Sequence, residues 1–238
     1  MSHEGAMTTT DHGAGPADDP CLARLRALDA CAVSDALDAL GLPGAAIGIH
    51  SVSGRHRLAG RAVTIDLADA GSAGPPARHL GTAAVDASGP AQVIVVAHHG
   101  RTHVSGWGGV LSAGAARNGV EGVVVDGAVR DVDEAADLGL PVFAVARVPV
   151  TARGRVVEQA WNVDVTMAGI AVSPGDYVIA DGSGVVFVPS ASAEEVLTMA
   201  EKITAKEQAM LARVRDGVPM AEVMGADYEQ LLADRGQG

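Results

Sequence analysis

Lysine and cysteine are scarce in this chain of 238 residues, and each shortage narrows the chemistry available to it. The only lysines, Lys202 and Lys206, lie four residues apart in a long helical segment, so a Schiff base would have to form on a solvated helix face. The two cysteines, Cys21 and Cys31, are too few for a disulfide framework. We therefore expect reduced thiols and no covalent catalysis by lysine.

Basic charge and long apolar runs are lacking as well. The net charge of −12 argues against a nucleic-acid partner, because phosphate binding needs a concentrated basic face. No apolar stretch is as long as a membrane span, and residues 1–19 lack the apolar core of a signal peptide. We expect a cytoplasmic protein with no membrane partner, in which residues 1–19 form a disordered tail and residues 20–238 fold as a single α/β domain.

The middle of the chain alternates between strand-like and helix-like segments. Short apolar runs at 92–97, 122–125 and 142–146 are typical of strands that are buried on both faces. Between them, the patterns at 110–117 and 131–138 predict helices. Strands and helices that alternate at this spacing predict parallel strands joined by helical crossovers.

The flanking segments predict helices and short strands. Residues 20–41 are expected to form two short helices, the second capped by Ser34. Segment 153–189 is rich in β-forming and turn residues, so its strands should be short and partly antiparallel. Ser192 followed by Glu195 is a capping-box pattern, which predicts the start of a long C-terminal helix.

Two polar loops follow neighbouring predicted strands and are expected to face one crevice. In parallel α/β sheets, ligands bind at the carboxyl ends of the strands. The first loop contains His98, His99 and His103, and the second contains Arg130 and Asp131. The histidines could form a zinc or catalytic cluster, but a structural or substrate-edge role is favoured because an intervening glycine and the lack of periodicity give no ligand geometry.

Asp131 has two interpretations. With Glu134 three residues later it forms a capping box, and acidic residues in a first turn suit the helix dipole. Alternatively, its carboxylate holds a hard divalent cation through one protein ligand and several waters. Arg130, directly before it, is placed to present its guanidinium to a carboxylate. Gly108 and Gly109 open another predicted helix, whose free N–H groups favour an anion.

Four segments of the chain resemble the RraA-like family: AVSDALDALGLPG, WGGVLSAGAARNGVEGVVVDGAVRDVDE, PVFAVARVPVTARGRVVE and VSPGDYVIADGSGVVFVP. That family includes metal-dependent pyruvate aldolases such as 4-hydroxy-4-methyl-2-oxoglutarate aldolase, which also decarboxylate oxaloacetate. The resemblance implies a swivelling β/β/α domain with parallel central strands and flanking helices. It also implies a homotrimer or hexamer with active sites between subunits.

The resemblance further implies a divalent-metal-dependent lyase acting on a small 2-oxo acid. The expected reactions are retro-aldol cleavage of a 4-hydroxy-2-oxo acid and decarboxylation of oxaloacetate, both through a metal-stabilised pyruvate enolate. Asp131 would be the ligand of Mg²⁺ or Mn²⁺, and Arg130 would hold the substrate. The backbone cradle for the substrate carboxylate would comprise Gly108, Gly109, Val110 and Leu111.

This chain departs from the family pattern at Gly109. The aldolases of the family tend to carry an acidic residue there, directly after Trp-Gly, which helps to hold metal-bound water. His98, His99 and His103 are then the candidates for the acid/base group, because histidine titrates in the right range. Retro-aldol cleavage needs a base and decarboxylation does not, so Gly109 disfavours the aldol reaction more. Two alternatives stay open: a non-catalytic regulator that binds a protein partner, and an enzyme of the same scaffold that acts on a different 2-oxo acid.

Overall fold

The computed structural model of the chain describes residues 19–54, 57–71 and 79–225. Most of the expected tail, residues 1–18, lies outside these ranges. Asp19 belongs to the fold, because its carboxylate accepts hydrogen bonds from the backbone N–H of Leu22 at 3.1 Å and from Arg61 Nε at 2.7 Å. No helix within the described ranges has both the length and the apolar character needed to cross a membrane.

The described helices, in chain order, are α1 (Pro20–Ala27), α2 (Ala30–Ala39), α3 (Thr82–Ala87), α4 (Gly109–Arg117), α5 (Val132–Asp137), α6 (Ala193–Arg215) and α7 (Met220–Val223). The described strands are β1 (Ala45–Ala46), β2 (His50–Ser51), β3 (Leu58–Asp69), β4 (Gln92–Ser105), β5 (Gly122–Val129), β6 (Val142–Arg147), β7 (Val156–Trp161), β8 (Val165–Met167), β9 (Ile170–Val172), β10 (Tyr177–Asp181) and β11 (Gly184–Val188).

One mixed sheet organises the fold. Its strand order is β1-β11-β10-β3-β4-β5-β6-β2, and β7 also pairs with β3. The central strands β3, β4, β5 and β6 run parallel to one another. The remaining strands of this sheet pair antiparallel, and β8 and β9 form a separate hairpin. The expected α/β fold, with parallel central strands flanked by helices, is therefore confirmed.

The period of two in the strands divides the core between the faces of the sheet. Ile94 and Val96 of β4 lie in the apolar cluster that includes residues of α3, α4 and α5, whereas Val93 and Val95 lie in the cluster that includes residues of the β8–β9 hairpin. A third cluster packs α1, α2 and α6 together with residues of β10 and β11. All residues of β5 are buried, as expected of a central strand.

Two of the predicted helix caps differ from the structure. α2 begins at Ala30, because the Asp29 carboxylate accepts a hydrogen bond from the Ala32 N–H at 2.8 Å, and Ser34 therefore lies inside the helix. Ser192 precedes α6 as predicted, but its side chain makes no capping hydrogen bond. It ends a 3₁₀ turn, with a ψ of 0° instead of the extended ψ of a usual N-cap residue.

The polar loop expected after residue 97 is instead a continuation of β4 to Ser105. The ladder between β4 and β5 shifts register between Val96 and Arg101, and again before Ser105. His99 and Gly100 have positive φ angles of 53° and 69°, which bend the strand at this irregularity. The histidine-rich segment is therefore held against the neighbouring strand β5.

Candidate active site

A cavity of about 430 Å³ lies where β4 and β5 end and α4 begins. Residues of segments 79–82, 105–111 and 151–153 line it, together with Arg130. Backbone hydrogen bonds join the floor to the sheet: the Gly106 N–H donates to Ala128 O at 2.8 Å, and the Arg130 N–H donates to Trp107 O at 3.1 Å. The ends of β4 and β5 are thus tied together, which fixes the position of the α4 N-terminus.

The Asp131 carboxylate caps α4, although the residue occupies the N-cap position of α5. Its Oδ2 atom accepts a hydrogen bond from the Gly109 N–H at 2.9 Å and lies 3.2 Å from Arg130 Nε. Its side chain makes no capping hydrogen bond within α5. A φ angle of 57° at Asp131, a left-handed conformation that Asp tolerates better than most residues, turns the carboxylate away from α5. The capping-box interpretation with Glu134 is therefore wrong.

Glycine at positions 108 and 109 permits this close approach. A Cβ atom at Gly108 would lie 2.9 Å from Asp131 Oδ2, and a Cβ atom at Gly109 would lie 3.2 Å from Asp131 Cβ. The negative charge stands at the positive end of the α4 dipole, which stabilises it. An acidic side chain at position 109 would begin 3.2 Å from Asp131 Cβ and place a second carboxylate beside the first, whereas glycine places none there.

Several polar groups of this constellation have no protein partner among the described residues. They are the Nη1 and Nη2 atoms of Arg130, the Oδ1 atom of Asp131, and the backbone N–H groups of Val110 and Leu111. The Arg130 and Asp131 side chains are 38% and 34% exposed, so both reach solvent. A helix N-terminus with free N–H groups beside a guanidinium is suited to bind a carboxylate.

Only two of the four residues expected to form the backbone cradle have N–H groups available for a substrate. Of the four cradle residues, Gly108 is the N-cap residue of α4 and the N–H of Gly109 is already engaged by Asp131. Val110 and Leu111 keep free N–H groups in the first turn of the helix, and both residues line the cavity. These two donors are the ones that a bound carboxylate could reach.

The donor set suits a hard divalent cation held by a single protein ligand. Within the described ranges, no group of three or more His, Cys, Asp or Glu side chains could hold a metal ion, so a closed zinc-type site is not formed there. Mg²⁺ is commonly bound by one or two carboxylates, with water and substrate oxygens completing its shell. The Asp131 side chain is 34% exposed and its Oδ1 atom has no partner among the described residues, which fits that mode of binding.

His98 is buried beneath the floor of the cavity and does not line it. Its Nε2 atom lies 2.9 Å from Val104 O; since a carbonyl only accepts, Nε2 carries the hydrogen. Its Nδ1 atom is buried and has no hydrogen-bond partner among the residues that the structure describes. Burial lowers the pKa of the imidazole because the charged form would lose its hydration. His98 is therefore a neutral residue of the core, packed against Gly106 and Gly127.

His99 and His103 also lie away from the cavity. His99 Nε2 is 2.7 Å from Asp66 Oδ1 on β3, and His103 is exposed on the continuation of β4. The structure does not bring the three histidines to the crevice of Arg130, because their segment pairs with β5 instead of forming a loop over α4. A different histidine, His79, lines the cavity. Sequence reasoning missed it because a segment of turn formers gives no signal of where it folds.

Two proteins of known name are similar to this chain in sequence. Over 185 residues the chain is 30% identical to Protein DlpA of Legionella pneumophila; the match covers 78% of this chain but only 30% of DlpA. Over 141 residues it is 33% identical to a protein of Alcanivorax borkumensis named "Putative 4-hydroxy-4-methyl-2-oxoglutarate aldolase", covering 59% of this chain and 83% of that relative.

Solved structures share the fold. The crystal structure of an uncharacterized protein from Pseudomonas syringae superposes with a TM-score of 0.76 at 31% identity, over 86% of this chain and 96% of the other. The RNA-processing inhibitor RraA from Thermus thermophilus superposes with a TM-score of 0.54 at 27% identity, over 66% of this chain and 92% of the other. The model of the family described as RraA-like: Aldolase/RraA matches residues 30–187, and the chain therefore belongs to the RraA-like family.

Proposed function

We propose that this protein is a divalent-metal-dependent lyase that cleaves a carbon–carbon bond of a small 2-oxo acid. The reactions are retro-aldol cleavage of a 4-hydroxy-2-oxo acid and decarboxylation of oxaloacetate. One observation carries the proposal: the Arg130 guanidinium and the Asp131 carboxylate meet at the glycine-opened N-terminus of α4, beside the cavity. The name of the Alcanivorax relative supports the same reaction class.

The metal would be Mg²⁺ or Mn²⁺, bound through Asp131 Oδ1. The cation would act as a Lewis acid towards the carboxylate and keto oxygens of the 2-oxo acid. Asp131 suits this task because Arg130 Nε and the Gly109 N–H both bind Oδ2, which holds the carboxylate in one orientation and leaves Oδ1 available.

The protein groups recognise and polarise the 2-oxo acid. The free N–H groups of Val110 and Leu111 bind the C1 carboxylate, aided by the helix dipole. The Nη atoms of Arg130 donate to the C2 keto oxygen, where negative charge grows as the bond between C3 and C4 is cleaved. Donors that are already fixed in place stabilise that charge without reorganising, and a carbonyl electron sink of this kind requires no lysine.

The test is a coupled assay of pyruvate release from oxaloacetate and from 4-hydroxy-4-methyl-2-oxoglutarate, with Mg²⁺ or Mn²⁺ and then with a chelator. We expect metal-dependent turnover in the wild type and its loss in Asp131→Asn, which keeps an acceptor for the Gly109 N–H but removes the charge. Asp133→Asn, an exposed change on α5, is the matched control and should stay active. Full metal-dependent activity in Asp131→Asn would show that the metal site is elsewhere.

The alternative function is a non-catalytic regulator that binds a protein partner. It is suggested by the structural relative from Thermus thermophilus, which is named an RNA-processing inhibitor. It predicts no pyruvate release from either substrate under any metal condition.

We also propose a cytoplasmic homotrimer or hexamer with sites between subunits. Val110 supports this assembly, because its side chain is 89% exposed at the cavity although it is apolar, and a neighbouring subunit would cover it. Light scattering on the purified protein gives the mass directly, and a monomeric mass at micromolar concentration would contradict the assembly.

A further inference from the structure

The cavity wall has very few groups that could transfer a proton. Within the described part of the chain, its lining includes no Asp, Glu, Cys, Tyr or Lys residue. The arginines that line it stay protonated at any ordinary pH. Position 109, where a carboxylate would have stood closest to Asp131, is glycine. His79 is the single histidine among the described lining residues, so it is the one side chain of the wall with ordinary acid/base chemistry.

Within the described part of the chain, the imidazole of His79 makes one hydrogen bond and leaves its other nitrogen without a partner. Its Nδ1 atom lies 3.0 Å from the carbonyl oxygen of Leu80. Because a carbonyl oxygen only accepts, Nδ1 carries the hydrogen and Nε2 bears the lone pair. No described residue makes a hydrogen bond to Nε2. In this tautomer, Nε2 is placed to accept a proton from a substrate in the cavity.

Hydrogen bonds also hold the turn that begins at His79. The Thr82 hydroxyl donates to His79 O at 2.8 Å, and the Gly81 N–H donates to Glu158 Oε2 on β7 at 2.7 Å. Gly81 has a φ angle of 78°, and a Cβ atom there would lie 3.1 Å from Leu111 Cδ1 and 3.6 Å from Trp107. The turn of residues 79–82 therefore packs against the first turn of α4, which also carries the free N–H groups of the cradle.

We infer that His79 is the proton acceptor of the retro-aldol reaction, a role that rests on the function proposed above. With the 2-oxo acid head at α4 and Arg130, the rest of the substrate extends through the cavity towards the turn of residues 79–82. His79 Nε2 takes the proton of the C4 hydroxyl, and the O–H electron pair forms the C4 carbonyl. The C3–C4 bond breaks, its electron pair forms the C2=C3 double bond of the enolate, and the π pair of the C2 carbonyl moves onto the keto oxygen. The imidazolium releases its proton to solvent, and a water molecule protonates C3 of the enolate, as it also does after decarboxylation, which restores the keto group and yields pyruvate.

Comparing the two reactions distinguishes a role of His79 in proton transfer from a role in binding the substrate or the metal. Decarboxylation of oxaloacetate has no hydroxyl proton to remove, so it does not need His79, whereas retro-aldol cleavage does. General acid/base groups typically contribute about 10²- to 10⁴-fold to a rate. In His79→Gln we expect kcat for 4-hydroxy-4-methyl-2-oxoglutarate to fall by about that factor, with oxaloacetate decarboxylation at the wild-type rate.

The matched control is His103→Gln, an exposed histidine of β4 outside the cavity, which should leave both rates unchanged. Retained decarboxylation in His79→Gln also shows that the variant is folded and binds metal. Equal loss of both reactions would make His79 a structural or binding residue, and no loss of either would exclude it from catalysis. If the wild type cleaves neither substrate, the proposed function fails and the role of His79 fails with it. If the wild type decarboxylates oxaloacetate but does not cleave 4-hydroxy-4-methyl-2-oxoglutarate, only the role of His79 fails. If it does both, the variant decides.

Discussion

Gly108→Ala changes the contact on which the candidate site depends. Gly108 has an extended backbone, with φ of −162° and ψ of −176°, so alanine can adopt its conformation without strain. The added Cβ atom would lie 2.9 Å from Asp131 Oδ2 and 3.2 Å from Arg130 Nε, both closer than carbon normally approaches these atoms. We expect the carboxylate to move away, because the end of a side chain shifts more easily than the backbone of α4.

The displacement should affect activity more than stability. A hydrogen bond to a charged group contributes about 1.5–3 kcal/mol, and because the Asp131 side chain is 34% exposed we expect a loss of about 1 kcal/mol in the free energy of unfolding. A misplacement of about 1 Å in a catalytic constellation costs about 100-fold in rate. We therefore expect kcat/KM for oxaloacetate to fall about 100-fold.

Urea unfolding and the coupled pyruvate assay measure the two quantities. Gly182→Ala is the control, since a Cβ atom there would meet no atom within 4 Å. A Gly108→Ala protein with wild-type kcat/KM would refute the reasoning, because the approach of Asp131 to the α4 N-terminus would then be irrelevant to function. A loss of stability well above 1 kcal/mol would instead mean that α4 had moved.

Two further predictions concern stability. Burial lowers the pKa of His98, so the unfolded chain binds a proton that the folded chain resists, and stability should fall as the pH drops below the unfolded value of about 6.5. The slope of unfolding free energy between pH 7.5 and pH 5 should be smaller in His98→Gln, and an identical slope would contradict the assignment. Asp29→Ala should cost about 1 kcal/mol because the Ala32 N–H loses its cap, whereas Asp29→Asn should cost little. Urea titrations of both variants compare them, and equal losses would show that the cap is unimportant.

The parallel centre of the sheet was predictable because its signals are local. Apolar runs at β4, β5 and β6 predict strands that are buried on both faces, and the spacing between consecutive strands leaves room for one helix. Arg130 and Asp131 were found for the same reason, since a polar pair directly after a buried strand must lie at the carboxyl end of the sheet. The helix N-terminus at Gly108 and Gly109 followed from the next stretch of helical pattern.

Contacts between distant segments decided the rest of the site. The sequence alone determined that the chain is α/β, that its middle strands are parallel, and that Arg130 and Asp131 stand at a strand end, because each of these depends on neighbours in the chain. The tertiary structure decided that Asp131 caps α4 instead of its own helix, because the partner N–H lies 22 residues earlier. It also decided that residues 98–105 pair with β5, so that three histidines lie outside the crevice. The turn that contains His79 packs against α4 instead. Local pattern carries no information about such pairings, which arise only when the strands and helices pack.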